Sequence, residues 1–169
     1  MEIRPWRCGD ETLALAAQPY LSMRSLNQRF LAGTGGRLPG SYLRHVADGP
    51  RPTWDAQVAV GPGHLLGWAE FGRLSPDSAE GDLAIIVADP WHRQGIASTL
   101  ILAMLPRAAA TGIRTLHADM LPGNTAAHHP TVGAAPRAAG LAPTQRRWIY
   151  AGAIGEGSRA INVTPGLSA

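Results

Sequence analysis

The stretch DLAIIVADPWHRQGIAS, residues 82–98, decides the fold. Residues 82–88 form a short, β-branched and almost wholly apolar run, which predicts a central strand covered on both faces. From Gln94 to Thr111 apolar residues recur at helical spacing, which predicts an amphipathic helix that Pro106 kinks. The chain therefore passes from a strand, through a short loop with one glycine, into a helix. The apolar residues that set the helical period are Ile96, Leu100, Ile101, Met104 and Leu105.

The loop between this strand and this helix is a candidate anion site. The first amides of a helix have no acceptor within the helix, and the helix dipole favours negative charge there. We therefore predict that the backbone of residues 93–97 cradles a phosphate, with Gly95 and the small Ala97 permitting close approach. The alternative is a glycine that only serves the turn. The spacings of a P-loop and of a dinucleotide fingerprint are both absent, which excludes those two classes of site.

The segments around this unit also follow strand and helix patterns. Two strands separated by GPGH predict an antiparallel hairpin. Asp10 is a typical helix start, and a proline precedes a further short helix, so we predict helices at both places. The predicted elements are a strand at 2–6, helices from 10, at 21–31 and at 39–47, strands at 54–60 and 65–71, and a strand at 113–121. We expect one domain over residues 1–155 and a tail over 156–169.

Composition narrows the classes of protein. A chain of 169 residues with 45% hydrophobic content can fill one core. Cys8 is the single cysteine and no cluster has zinc-ligand spacing, so we expect no disulfide and no metal. The amino terminus is charged and no apolar run approaches ~18 residues, so we predict a cytoplasmic protein without membrane insertion.

The basic residues do not form a nucleic-acid surface. Net charge is +3, and all 15 basic residues are arginine. They are scattered, whereas a nucleic-acid binder concentrates them on one stripe with aromatic residues between them. We therefore expect no nucleic-acid partner.

The loop also carries a family signature. His92 to Ala97 reads HRQGIA, against a pattern of Gln or Arg, two residues, Gly, one residue, then Gly or Ala. On this motif, and on IRPWRCGDE, LSMRSLNQRFL and ADMLPGN, the chain resembles the GCN5-related N-acetyltransferase (GNAT) family over residues 3–125. His92 departs from the pattern at its first position. SLNQRF, IIVADPWHRQGIAS and LPGN together are most similar to the acetyltransferase domain of bacterial Pat-type protein lysine acetyltransferases.

The resemblance implies a fold and a cosubstrate. The fold is α/β (α+β), with a mixed, mostly antiparallel sheet flanked by helices, whose splayed central strands form an acyl-CoA cleft. Acetyl-CoA would lie there without any metal. Its pantetheine arm would pair with the backbone of Val87, Ala88 and Asp89, and Asn124 would contact the arm unless it only forms a turn. Its pyrophosphate would bind Arg93, Gln94, Gly95, Ile96, Ala97 and Ser98.

Acetyl transfer to an amine needs a base, because a lysine amine with a reference pKa of ~10.4 is protonated at neutral pH. Asp82 and Glu80 are the candidates, and they share a face if the strand already includes Glu80. The Pat-like pattern aligns its glutamate base with Asp82, one methylene shorter here. Two solvated acids flanking a turn remain the alternative. Residues 124–140 lack the tyrosine that many relatives use as general acid. His128 or His129 could take that role or contact the acceptor, and the alternative is an exposed pair in a loop rich in proline and glycine.

These observations predict an enzyme that transfers acetyl to a primary amine by direct attack in a ternary complex. The acceptor suggested by the resemblance is a protein lysine. A polyamine, antibiotic or amino acid is the alternative, and so is a non-catalytic acyl-CoA-binding sensor. The oligomeric state is open, with a homodimer beside a monomer. We interpret Arg24 and Arg29 as a solvated helix face, and Cys8 has no base beside it in the sequence.

Overall fold

A seven-stranded sheet runs through the molecule. The computed structural model describes residues 1–120, 138–139 and 146–151. The strand order is β1-β2-β3-β4-β5-β7-β6, and among these strands only β4 and β5 are parallel neighbours. The mostly antiparallel mixed sheet is therefore confirmed. The strands are β1 Glu2–Pro5, β2 Trp54–Val60, β3 Leu65–Gly72, β4 Glu80–Val87, β5 Thr115–Met120, β6 Ala138–Ala139 and β7 Arg146–Ala151.

Four α-helices accompany the sheet in the described part of the chain. They are α1 Asp10–Ala16, α2 Met23–Phe30, α3 Gly40–Ala47 and α4 Ile96–Ala110, with short 3-10 turns at Gln18–Tyr20 and Asp89–Trp91. The second helix begins later than the sequence predicts, at Met23. Its start is fixed by Ser22, whose hydroxyl accepts from the Ser25 amide at 3.2 Å as an N-cap.

Helix α4 covers one face of the sheet. All five apolar residues that predicted the helix are buried in the core, and burying each contributes roughly 1.5–3 kcal/mol. Arg107 of α4 binds Asp55 of β2 at 2.6 Å. Helices α2 and α3 lie on the opposite face, because Glu70 of β3 binds both of them and its neighbour Phe71 pairs with Asp55.

Strands β4 and β5 pair only at their beginnings. The register runs from Glu80 opposite Thr115 to Asp82 opposite His117 and stops there, while β5 continues along β7 to Met120. From residue 83 onward β4 has β3 as its one described neighbour. The two central strands therefore part after Asp82, as the splayed cleft of the predicted fold requires.

Helices α2 and α4 contact this central strand on its two faces, and Leu83 and Ile86, on opposite faces, are buried, but the cover is incomplete. Asp82 is exposed, and Ala84, Ile85 and Val87 are only half-buried. Residues that line an opening in a sheet are as apolar as residues packed beneath a helix, so the apolar run did not reveal where the cover stops. The strand is central in the sheet, yet it borders a cleft.

Candidate functional site

The loop between β4 and α4 has an unusual backbone. Arg93 has φ 62° and Gly95 has φ 77°, both in the left-handed region. Such a φ is uncommon for any residue but glycine, and it concentrates where the surrounding structure fixes a functional loop. A Cβ on Gly95 would meet no atom within 4 Å, so the turn, rather than crowding, requires the glycine.

The amides at the start of α4 are free to bind a ligand. The first amide with an acceptor is that of Thr99, which donates to the Gly95 carbonyl at 3.0 Å. The six preceding amides, of residues 93–98, have no acceptor in the described part of the chain. The residues expected to hold a pyrophosphate therefore present a run of unpaired donors at a helix N-terminus, where an anion is favoured.

The edge of β4 that faces the gap carries further unpaired backbone groups. Successive residues of a strand direct their N–H and C=O groups to opposite edges. The carbonyl of Ala79 accepts from β5, and the amide of Ala88 donates to Leu66 of β3 at 2.8 Å. The groups of Ile85 and the amide of Val87 therefore face the gap unpaired, whereas the Leu83 amide closes the last pair with β5 and Ala88 is already paired with β3. Of the three residues expected to bind the pantetheine arm, Val87 is the one so directed.

Two side chains of the loop are committed to contacts within the protein. His92 donates from Nε2 to the Val87 carbonyl at 2.7 Å, so its side chain as well as its backbone shapes the loop. Asp89 accepts from the Ser25 hydroxyl at 2.6 Å, which joins the loop to α2. Partial burial would raise the pKa of Asp89, but the hydroxyls of Ser22 and Ser25 and the nearby His92 lower it below its usual value.

The two candidate bases lie where β4 and β5 part. The strand begins at Glu80, so Glu80 and Asp82 do share a face. Both are exposed, and Asp82 has no hydrogen-bond partner among the described residues. Glu80 lies 3.2 Å from Nε2 of His117, a residue that the sequence reasoning missed. Only the parallel pairing of β4 with β5 brings His117 to this point, and that pairing leaves no local signal.

A second polar cluster lies on the same face of the sheet, one strand away. Glu70 accepts from Arg29 of α2 and from the Tyr42 hydroxyl of α3 at 2.7 Å, and Trp68 Nε1 donates to that hydroxyl at 2.8 Å. Arg29 is therefore not on a solvated helix face, and that expectation is wrong. Its guanidinium is drawn in by the buried carboxylate, whereas Arg24 is exposed. Burial and the charge of Glu70 raise the pKa of Tyr42 well above its usual value.

The other residues that the sequence singles out contribute no described group to the site. Asn124, His128 and His129 lie outside the described residues. Cys8 is exposed and its Sγ donates to the Asp48 carbonyl at 3.4 Å, which does not activate a thiol. The described residues contain no group of three or more His, Cys, Asp or Glu that could hold a metal ion. Within them, no helix has the length and apolar character needed to cross a membrane.

Comparison with known proteins assigns the family. The model of the acetyltransferase (GNAT) family matches residues 21–129. The chain belongs to the GNAT acetyltransferase family. Members use acetyl-CoA as cosubstrate and an amine as acceptor, and the free amides and open β4 edge of this GNAT protein fit a phosphate and an extended arm. No curated protein matches its sequence.

Solved structures share the fold of this GNAT protein at low identity. The GNAT domain of S. lividans PAT has a TM-score of 0.77 at 19% identity, over 88% of this chain and 89% of that one. A ribosomal-protein-alanine N-acetyltransferase from Brucella melitensis has 0.62 at 18%, over 88% and 97%. A GNAT-family acetyltransferase from Streptococcus pneumoniae has 0.60 at 19%, over 88% and 97%. At such identities these likenesses establish the fold alone.

Proposed function

We propose that this protein transfers the acetyl group of acetyl-CoA to a primary amine, by direct attack in a ternary complex. One observation carries the proposal. The unpaired amides of the loop, the open edge of β4 and the exposed Asp82 follow one another along a single strand-loop-helix unit. The unit offers an anion site at one end and a free carboxylate at the other, separated by unpaired backbone groups.

The position of the cosubstrate follows from these groups. The pyrophosphate would bind the amides of residues 93–98. The pantetheine arm would pair with the backbone of Ile85 and with the Val87 amide, because the Val87 carbonyl already accepts from His92. The thioester would then lie near the point where the strands part. There the first unpaired amide of the β4 edge, beyond the last pair with β5, could donate to the oxygen that gains negative charge during transfer. No metal has a role in this proposal.

Asp82 is the base of the proposed reaction, with Glu80 as the alternative. The ammonium group of the acceptor gives a proton to the carboxylate, directly or through a water molecule. The neutral nitrogen attacks the thioester carbon, the C–N bond forms and the C–S bond breaks. The shorter side chain of aspartate, compared with the glutamate of the Pat-like pattern, makes a bridging water part of this proposal.

A protein lysine is the acceptor we favour. The sequence resemblance to Pat-type protein lysine acetyltransferases supports it, and the ribosomal-protein-alanine enzyme with the same fold acts, by its name, on a protein amine. A polyamine, antibiotic or amino acid is the competing acceptor. Incubation with acetyl-CoA and mixed acceptors, read by mass spectrometry, separates the two. An acetyl mass shift on protein lysines but not on small amines supports the first, and the reverse pattern excludes it. A cytoplasmic location and a homodimer remain predictions.

A non-catalytic acyl-CoA-binding module is the second candidate. It is favoured by the unpartnered Asp82, because no described side chain orients that carboxylate for catalysis. Such a module would bind acetyl-CoA tightly and release no CoA with any amine. The two candidates therefore differ in turnover rather than in binding.

The deciding experiment measures both quantities in one preparation. Calorimetric titration gives acetyl-CoA binding, and thiol detection follows CoA release with protein and small-amine acceptors, for wild type and for Asp82→Ala. The matched control is Asp77→Ala, an exposed aspartate in the turn before β4. Acceptor-dependent release that falls in Asp82→Ala alone supports the transferase. Binding without release supports the sensor, and no binding contradicts both.

A further inference from the structure

We infer that His117, oriented by Glu80, takes the place of Asp82 as the group that accepts the proton from the acceptor amine, so that Asp82 instead holds the ammonium group in place. The inference rests on the proposed transferase function and divides its chemistry between two strands. It follows from the hydrogen bond of His117, from the state of its other ring nitrogen and from its position in the sheet.

The hydrogen bond determines which ring nitrogen carries the proton. A carboxylate can only accept, so the 3.2 Å contact between Glu80 and Nε2 of His117 requires a proton on Nε2. In a neutral ring this leaves a lone pair on Nδ1. That atom is buried and has no hydrogen-bond partner in the described part of the chain, so the acceptor nitrogen must reach it from the cleft, directly or through one water molecule. A carboxylate that fixes one imidazole nitrogen and leaves the other as a base is the arrangement used for proton transfer in many enzymes.

The register places this ring beside the predicted thioester position. His117 lies opposite Asp82 in the last β4–β5 pair before the strands part. Paired residues share a face, and Glu80 is two residues from Asp82, so all three side chains lie on one face. Asp119 follows two residues along β5, and β7 places Ile149 opposite His117 and Arg147 opposite Asp119. On β4 and β5 the charged residues of this face are therefore acidic, which favours binding of a cationic amine.

The chemistry of the groups favours this division of roles. General bases work best when their pKa lies near the working pH, and imidazole is the side chain whose ordinary value is nearest to neutrality. Carboxylic acids have ordinary values near ~4, which suits them to remain charged and to bind an ammonium group. Glu80 would also stabilise the imidazolium that forms, although its side chain is 70% exposed, so solvent screens that effect.

The proton balance is complete. The acceptor R–NH₃⁺ gives one proton to Nδ1, and its nitrogen forms the C–N bond as the C–S bond breaks. The second N–H proton passes to the departing thiolate, giving CoA as the free thiol. The imidazolium then returns its proton to water, so each turnover releases one proton and needs no oxidant or further reactant.

The test exploits acceptors that need no base. His117→Gln retains a donor for Glu80 and removes the basic nitrogen. We compare it with wild type on an alkylamine acceptor and on a hydrazide of the same shape, whose terminal nitrogen is already neutral at pH 7. We expect kcat with the alkylamine to fall on the order of 100-fold. The hydrazide rate and the KM for acetyl-CoA are expected to change far less.

A purely structural role of His117 predicts a different pattern. If the Glu80–His117 pair only holds β4 against β5, the rates with the alkylamine and with the hydrazide fall together, or neither rate falls. Either result overturns the inference. His45→Gln is the matched control, because His45 is exposed on α3, away from the cleft. If His117→Gln does not fold, Glu80→Gln serves instead. It keeps an acceptor for Nε2 without the charge, and a loss selective for the alkylamine supports the inference.

Failure of the inference is separable from failure of the proposed function. A wild-type protein that binds acetyl-CoA but acetylates neither acceptor contradicts the transferase itself. A wild-type protein that acetylates the alkylamine, beside a His117→Gln variant with the same rate, contradicts the role of His117 alone. In that second case the proton acceptor returns to Asp82.

Discussion

Two groups of polar side chains share one face of the sheet and differ in every other respect. The cluster around Glu70 on β3 is buried, and the carboxylate is bound by Arg29 and by Tyr42. The acids of β4, Glu80 and Asp82, are exposed, and Asp82 has no described partner. A buried charge persists only when it is paired, whereas a reactive carboxylate must remain accessible. We therefore assign the first group to architecture and the second to chemistry.

Substitution of Glu70 tests the structural role of the buried cluster and has the largest expected effect. Glu70→Ala leaves the guanidinium of Arg29 buried without its counter-charge, and we expect the free energy of unfolding to fall by about 3–5 kcal/mol. Urea unfolding followed by circular dichroism measures it. Glu70→Gln is the control, because its amide oxygen can still accept from Tyr42. We expect its free energy of unfolding to fall by less than that of the alanine variant. A loss below about 1 kcal/mol for the alanine variant, the size of an average substitution, would mean that the cluster is not structural.

For Asp82 we expect the opposite: substitution lowers the rate of turnover and leaves stability almost unchanged. Asp82→Asn is expected to leave unfolding within about 0.5 kcal/mol of wild type, as for other exposed positions. We expect its kcat to fall about 100-fold, which corresponds to about 2.7 kcal/mol of activation free energy. Steady-state CoA release measures the rate. Unchanged turnover with reduced stability would reverse the assignment of the two groups.

A third acid, Asp10, tests whether paired acids of this protein stabilise it at neutral pH. Asp10 binds Arg4 at 2.6 Å and accepts from the Arg7 amide at 2.8 Å. Burial would raise the pKa of Asp10, but Arg4 and the Arg7 amide lower it below its usual value. Its contribution to stability is therefore present above an unfolded pKa of ~3.9 and lost as the pH falls through the lower folded value.

We accordingly expect Asp10→Asn to lower the free energy of unfolding at pH 7 by about 1.5–3 kcal/mol, the usual contribution of a hydrogen bond to a charged group. The stability difference between this variant and wild type should narrow once the pH drops below the pKa of aspartate in the unfolded chain. Unfolding midpoints measured across that range check the sign. A difference that is constant or grows in acid would contradict the lowered pKa.

The smallest effect is expected at the link between the two regions, where Ser25 of α2 binds Asp89 of the loop. Ser25→Ala removes one hydrogen bond to a carboxylate. Because the Asp89 side chain is 37% exposed and solvent screens its charge, we expect the free energy of unfolding to fall by only about 1 kcal/mol. The pKa of Asp89 moves back toward its usual value, and acetyl-CoA binding weakens slightly because the loop loses one anchor. Calorimetry measures the binding. Ser41→Ala, an exposed serine on α3, is the control, and equal effects of both variants would remove any role for the link.

The sequence predicts most of the fold, because its signals are local. Residues 54–60 and 65–71 flank the GPGH turn, and both form strands within one residue of the predicted bounds. The helix period at 96–105 gives the buried face of α4 correctly. The glycine turn after β4 likewise identifies the loop, because helix-start geometry is encoded within a few residues.

The site is less predictable, because its contacts join distant residues. Arg29 and Glu70 lie 41 positions apart, and Glu80 and His117 lie 37 apart. An arginine on an amphipathic helix has the same local pattern whether it meets solvent or a buried carboxylate. His117 became a candidate only when the register of β4 on β5 was known. Sequence reasoning could therefore name the acids of β4 but not their partners.

The parting of β4 and β5 gives the described sheet more edges than its strand count implies. Its outer edge at β1 carries Glu2, Arg4 and Pro5, the charges and proline that discourage pairing with a foreign strand. The inner edge of β4 over residues 83–87 reads LAIIV and has no such protection. An unprotected apolar edge attracts other chains during folding. A cosubstrate arm that pairs with this edge would also shield it, so we expect acetyl-CoA present during refolding to raise the yield of monomeric protein.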